Sequence, residues 1–321
     1  MATVLLNPSV AGALLPVVLL IGAGYLAGRR GWIQAASVKD LSNIIFLLLA
    51  PALLFRAMST VDVAHLRFKA VSAYFIGSGL LFGLTMLRRG FNRQAAVLAL
   101  ANTYSNSVMI GIPLIGLAYG EEGMVVLLTL ISLHSVVLLT SATVVLELAV
   151  AHEHARSSGG ARHSMARTVL KAVRNAIIHP VPIPIVAGLL FAQTGLTMPE
   201  WVDKPLALLG QAFGPVALVM VGITLALTPI GSHWRGALMQ ALLKNLLHPV
   251  LVAGIAWLLG VRGLPLAVMI VAASLPMGAN VFLFSQRYRT SEELVTSSVA
   301  VSTVLGLVTV TVVMALVAHL Y

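Results

Sequence analysis

The chain has 321 residues, of which 59% are hydrophobic and 9% charged, with a mean hydropathy of +0.99. A soluble domain carries about a quarter of its residues as charges, so part of this surface must face lipid. The formal net charge of +10 does not point to nucleic acid, because the basic residues sit in short loops between apolar runs, and the lack of cysteine excludes disulfides and thiolate metal sites.

Residues 1–10 lack a basic leader, and the apolar stretch Val10–Ala27 is followed by Arg29 and Arg30. That order predicts a first membrane helix and not a cleavable signal peptide. Further windows of about 20 apolar residues are Asp40–Met58, Ala70–Leu87, Gln94–Tyr119, Met124–Leu148, Val169–Gln193, Leu206–Leu227, Ala237–Leu259, Leu264–Phe284 and Leu294–His319. Ten transmembrane helices are therefore expected in an all-α membrane protein. Three prolines at Pro180–Pro184 blur the sixth span, although spans tolerate proline where freed carbonyls find partners.

Most of the 20 Lys and Arg then fall in loops on one side, among them Arg29, Arg30, Lys39, Arg88, Arg89, Arg93, Arg162, Arg235 and Arg287. Arg56, Arg67, Lys69, Lys204 and Arg262 fall on the other side, and Lys244 lies inside a span. The positive-inside rule places both termini outside.

The polar stretch Ala149–Arg167, with Ser157, Ser158, Gly159 and Gly160, predicts a cytoplasmic linker. The expected organisation is a five-helix repeat over 1–148, a linker over 149–168 and a second five-helix repeat over 169–321. An odd number of spans per half inverts the second half. The spacing of Pro51 to Pro113 is nearly repeated by Pro215 to Pro276, each pair in corresponding spans. Inverted repeats of this kind are a common transporter architecture.

Span 4 contains Asn106-Ser107-Val108-Met109-Ile110-Gly111-Ile112-Pro113, and span 9 contains Ser274-Leu275-Pro276-Met277-Gly278-Ala279-Asn280. A helix-interior proline costs about 3 kcal/mol, and asparagine at bilayer depth needs a polar partner. Taken singly, either span fits a proline kink with asparagines joining neighbouring helices. The pair, at matching places, favours two broken helices that cross. Half-helix N-termini offer unpaired N–H groups and partial positive charge, an anion site. Pro113 and Pro276 suit the first position of such half-helices. Asn106, Ser107 and Asn280 supply polar side chains, and the backbone beside Gly111–Pro113 and Pro276–Gly278 supplies donors.

Several of these segments together resemble the auxin efflux carrier family of bacterial and plant transporters. The first two helices carry Gly24-Tyr25-Leu26, Arg29-Arg30-Gly31 and Pro51-Ala52-Leu53-Leu54-Phe55. The fourth carries Asn106 through Pro113, followed by Tyr119-Gly120-Glu121-Glu122-Gly123, and the ninth Leu275 through Phe282 with Gln286-Arg287-Tyr288. The resemblance implies ten helices in two inverted repeats, crossing helices 4 and 9, elevator-type alternating access and a homodimer. It implies organic-anion substrates, auxin in plants and malonate, malate or related carboxylates in bacteria. It also implies a substrate contact at Asn106 and a polar fifth-helix site residue at His134. The long central loop of many plant members is missing here, which points to a bacterial carrier in the inner membrane.

His134 on its own fits a substrate or proton group or an interhelical hydrogen bonder. Lys244, beside Asn245, His248 and Pro249, reads as a lysine snorkelling to the interface, or else as a group for anion attraction or conformational gating. Arg56, Asp62, Arg67 and Lys69 border one membrane face, where anchoring outweighs anion recruitment. His152-Glu153-His154 with His163 has no preformed metal geometry, and Glu147 reads as structural. No cofactor or resident metal is expected; Na⁺ or H⁺ stays open as a coupling ion. Neither a phosphate-binding G-x-x-x-x-G-K-[ST] loop nor a G-x-S-x-G or H-E-x-x-H motif occurs, so the chain is not expected to be an enzyme. The alternative is a cation-gated channel or sensor using the same crossing.

Overall fold

The computed structural model describes residues 8–61, 68–157, 182–228, 231 and 233–319. Asp62, Arg67, His163 and the predicted linker from Ser158 onward, with the start of the sixth span, lie outside the described residues.

Among the described residues, seven helices are long and apolar enough to cross a membrane. Their polarity is inverted relative to a soluble protein. Leu87, Leu208, Leu258 and Leu316 are exposed, whereas Lys244, Asn245, His248 and His134 are buried. Such a surface is suited to lipid, with its polar groups turned inward.

Helix α1 (Pro8–Arg29) is the first among the described residues. Helices α2 (Val38–Ile44) and α3 (Ala50–Met58) follow, joined by a π turn at Ile45–Leu49. Next come α4 (Phe68–Arg89), α5 (Arg93–Thr103), a π turn at Ser107–Gly111, and α6 (Ile112–Ser157). Gly120 interrupts α6 with φ 60°, a left-handed turn that glycine adopts without strain. Then follow α7 (Pro182–Gln193), α8 (Glu200–Leu227), and α9 (Trp234–Leu242), which a π turn at Leu243–Leu247 joins to α10 (His248–Leu258). Helices α11 (Gly263–Ser274), α12 (Asn280–Arg287) and α13 (Glu292–Val317) complete the set.

Each of the three π turns runs up to the second residue before a proline: Pro51, Pro113 and Pro249. Proline has no N–H to give its i−4 carbonyl and clashes with it. Widening the preceding turn relieves that clash and rotates the residues before it. In the Leu243–Leu247 turn, Lys244 and Asn245 are consequently both fully buried.

The helices pack in two groups. Helix α1 lies along α8, and α3 packs against α7 and α8. Glycines allow the approach: a Cβ on Gly24 would run into the Val219 carbonyl, and one on Gly222 into the Ile21 carbonyl. In the second group α4 packs on α5 and α10, α9 on α13, and α11 on α10 and α13. Helix α6 bridges the groups. Its far end does not stop at residue 148, where a linker was expected, but continues to Ser157. The Glu153 carboxylate holds that extension by accepting from Arg93 Nε at 2.6 Å and from the Arg93 backbone N–H at 2.9 Å. Glu147, also near this end, accepts from the Tyr288 hydroxyl at 2.8 Å. Burial, and then that bond, push the Tyr288 phenol above its usual pKa.

Candidate functional site

The spans that carry Pro113 and Pro276 are both broken, and the breaks cross. Helix α5 ends at Thr103 and α11 at Ser274, and each is followed by a short extended stretch. Ser105 and Met277 form an isolated antiparallel bridge there. The Asn106 N–H donates to the Pro276 carbonyl at 2.8 Å, and the Gly278 N–H donates to the Tyr104 carbonyl at 2.9 Å. The α11 break has a traceable cause. In a continuing helix the Met277 N–H would reach the Ala273 carbonyl. It is diverted instead to Ser302 Oγ at 2.9 Å, and that hydroxyl donates to Asn245 Oδ1 at 2.7 Å.

Four helix ends meet at this point. The N-terminal ends belong to the Ser107–Gly111 turn leading into α6 and to α12; the C-terminal ends belong to α5 and α11. N-terminal ends carry partial positive charge and C-terminal ends partial negative charge.

Asn106 heads the π turn. Its backbone carbonyl accepts from Ile110 and Gly111, and its Oδ1 accepts from the Met109 N–H at 3.3 Å. Its Nδ2 has no hydrogen bond among the described residues. Ser107 is 2% exposed, and its Oγ has no partner. An unpaired buried hydroxyl is costly. Gly111 lets the two broken segments close up, since a Cβ there would lie 2.8 Å from Leu275 Cδ1. Pro113 is the second residue of α6 rather than the first, because the widened turn already begins at Ser107.

The expectation that Pro276 starts a half-helix is wrong. Pro276 lies in the extended stretch, with its ring against Gly306, and α12 begins only at Asn280. Asn280 Nδ2 donates to the Tyr104 hydroxyl at 3.0 Å, and that hydroxyl also bonds Ser135 Oγ at 2.9 Å. His134 packs its ring 4.6 Å from the Tyr104 ring, and its Nε2 is 3.2 Å from the Tyr74 hydroxyl, which in turn bonds Ser105 Oγ at 2.8 Å. The structure therefore gathers Asn106, Ser107, Gly111, His134, Pro276, Gly278 and Asn280 around one crossing.

Tyr74, Tyr104 and Ser302 join the site without any signal of their own in the sequence, and Lys244 departs from the expected position. Lys244 does not snorkel: it is 0% exposed and donates to the Ala273 and Leu275 carbonyls at 2.6 and 2.7 Å. The signal was present in the adjoining Asn245 and His248, which with Lys244 make a polar set too dense for a lipid-facing stretch. Among the described residues no group of three or more His, Asp or Glu side chains could hold a metal.

A cavity of about 1250 Å³ lies between the group of α1, α3, α7 and α8 and the bridging helix α6. Arg56, Glu121 and Asp203 line its exposed end, and Ile112, Pro113 and Phe213 its buried end. Arg56 Nε and Asp203 Oδ1 are paired there at 2.7 Å. Of the predicted site residues only Pro113 lines this cavity; the others lie beyond its lining.

Residues 9–314 match the family described as Membrane transport protein. The chain is 29% identical over 312 residues to a Rhizobium meliloti (strain 1021) protein named "Putative malonate transporter", covering 94% of each chain. It is 24% identical over 241 residues to auxin efflux carrier component 8 of Arabidopsis thaliana, covering 64% of this chain and 66% of that one. The Escherichia coli (strain K12) transporter YfdV is 25% identical over 309 residues, covering 92% of this chain and 94% of its own.

Proposed function

The chain belongs to the membrane transport protein family that includes the auxin efflux carriers, and from that premise we propose that it is a secondary carrier for a small carboxylate. The substrate class is malonate, malate or an auxin-like acid, held at the crossing of the broken helices. The observation that carries this reading is the meeting of two half-helix N-terminal ends beside Ser107, a buried hydroxyl without a partner, and Asn106, whose amide N–H groups are uncommitted. A carboxylate accepts from such donors, and the helix ends offset its charge. Asn280 and His134 border the same point, through Tyr104.

The finer architecture in this reading is ten helices in two inverted five-helix repeats. The packing supports it. Exchanging the halves converts the α1–α8 contact into the α3–α7 contact, and the α4–α5 contact into the α10–α11 contact. Alternating access follows by an elevator-type motion. The α1, α3, α7 and α8 group is locked by glycine contacts, the second group is tied through the crossing, and the cavity lies between the first group and α6, which leads out of the crossing. The protein resides in a bacterial inner membrane as a homodimer with both termini outside, so the Arg56 end of the cavity opens outward. The coupling ion is Na⁺, H⁺ or neither.

The rival reading, a cation-gated channel or sensor, would use crossing carbonyls that Lys244 already occupies. Uptake of labelled carboxylates into proteoliposomes tests the carrier reading. Saturable uptake with counterflow, lost or shifted in apparent affinity in Asn106→Ala, is the expected result. Linear, non-saturating flux would end it.

A further inference from the structure

Lys244 sits inside the apolar Trp234–Leu258 span with no surface exposed. Its ammonium donates to the Ala273 carbonyl at 2.6 Å and the Leu275 carbonyl at 2.7 Å. Both oxygens belong to the end of α11, where carbonyls lose their intrahelical partners and partial negative charge accumulates. Among the described residues Lys244 has no carboxylate partner. Two buried neighbours in the same span bond elsewhere: Asn245 bonds Ser302, and His248 Nε2 bonds Ser78 Oγ at 2.8 Å.

A cation held by main-chain oxygens at an unwound helix end is held as such sites hold an alkali-metal ion. The opposite helix end, that of α5, is closed without a cation. The Thr103 hydroxyl takes the Ala99 and Leu100 carbonyls, and Gly278 takes that of Tyr104. We propose that the Lys244 ammonium is a tethered cation standing in for a bound alkali-metal ion at the crossing, so that the anion is taken up without Na⁺. Lys244 is thus a positioning residue: it holds the α11 end in place and cancels its negative charge while the two N-terminal ends face the substrate. The consequence for transport rests on the anion-carrier reading, but the test does not require a substrate.

The experiment follows thermal unfolding of the purified full chain in NaCl, KCl or choline chloride at one ionic strength. Wild type is expected to unfold at the same midpoint in all three. Lys244→Ser is expected to lose roughly 5 °C or more and to regain part of it in NaCl or KCl but not in choline chloride. Lys244→Met, which fills the space with an apolar chain, is expected to lose stability equally in every salt. A purely structural lysine would give no such cation-specific recovery, and a Lys244→Ser loss identical in all salts overturns the proposal. A wild-type midpoint that rises with Na⁺ overturns it too, even if neither variant folds. A parallel arm adds malonate and related carboxylates to wild type in choline chloride. Absence of any carboxylate effect in that arm and in NaCl speaks against the anion reading alone, whereas a carboxylate effect that appears only with Na⁺ overturns the tethered cation alone.

Discussion

Tyr104 and Gly278 clasp the crossing from opposite strands: the Gly278 N–H donates to the Tyr104 carbonyl, and the Tyr104 ring covers the position where a Cβ on residue 278 would stand. That Cβ would lie 2.6 Å from the ring. The ring cannot swing aside freely, because its hydroxyl is bonded to Ser135 and Asn280. Gly278→Ala is therefore expected to cost about 1–3 kcal/mol of stability through overpacking and to abolish uptake. Thermal unfolding and proteoliposome uptake check both. A variant as stable and as active as wild type would mean that the crossing does not need this contact.

Asn106 has two jobs that substitution can separate. Its Oδ1 caps the π turn, and its Nδ2 is the proposed donor to substrate. Aspartate caps about as well as asparagine but brings no amide donor and repels an anion. Asn106→Asp should keep the wild-type fold to within about 1 kcal/mol while losing the thermal stabilisation that carboxylates give the wild type. Asn106→Ala should lose both. Retained carboxylate stabilisation in Asn106→Asp would remove this side chain from the site.

The Arg56–Asp203 pair at the cavity mouth is 46% and 35% exposed on its two side chains, so solvent screens it. Exposed pairs contribute about 0–1 kcal/mol, and Asp203→Asn should change the unfolding midpoint little. It should, however, release the Arg56 guanidinium toward incoming anions. The expected outcome is a lower apparent KM for carboxylate uptake at low ionic strength, an advantage that disappears as salt shortens the range of the interaction. Arg56→Gln should move KM the opposite way. Equal KM values for all three proteins at low salt would show that the mouth does not steer substrate.

The membrane character and the two broken spans were legible because they follow from hydropathy and from proline, glycine and asparagine placed mid-span. The residues around the breaks were less legible. Tyr74 and Tyr104 look like ordinary apolar-span aromatics until the fold brings their hydroxyls to Ser105 and to Ser135 with Asn280. Ser302 lies 25 residues beyond the N–H it diverts. Lys244 was misread because an ideal helix leaves its direction open, whereas the π turn before Pro249 rotates it inward. Proline suits the first position of a helix, which is why the sequence predicts a helix start at Pro276. The chain instead needs an extended stretch there, so that the Pro276 carbonyl can accept from Asn106.

The contact between α1 and α8 makes the fourth prediction. Gly222 faces backbone and not side chain: a Cβ there would collide with the Ile21 carbonyl oxygen and lie 2.6 Å from the Tyr25 nitrogen. Backbone within a helix cannot rotate away as a side chain can, so the whole of α1 would have to move. Gly222→Ala should lose about 1–3 kcal/mol. Gly79, in α4, is the control, since it is exposed and a Cβ there meets nothing within 4 Å. Gly79→Ala should be neutral or should gain up to about 1 kcal/mol from helix propensity. Unfolding midpoints of the two variants decide between a general intolerance of alanine in these helices and a specific requirement for backbone contact. If both behave alike, the close approach of α1 and α8 is not what holds this group together, and the rigid half of the proposed elevator loses its physical basis.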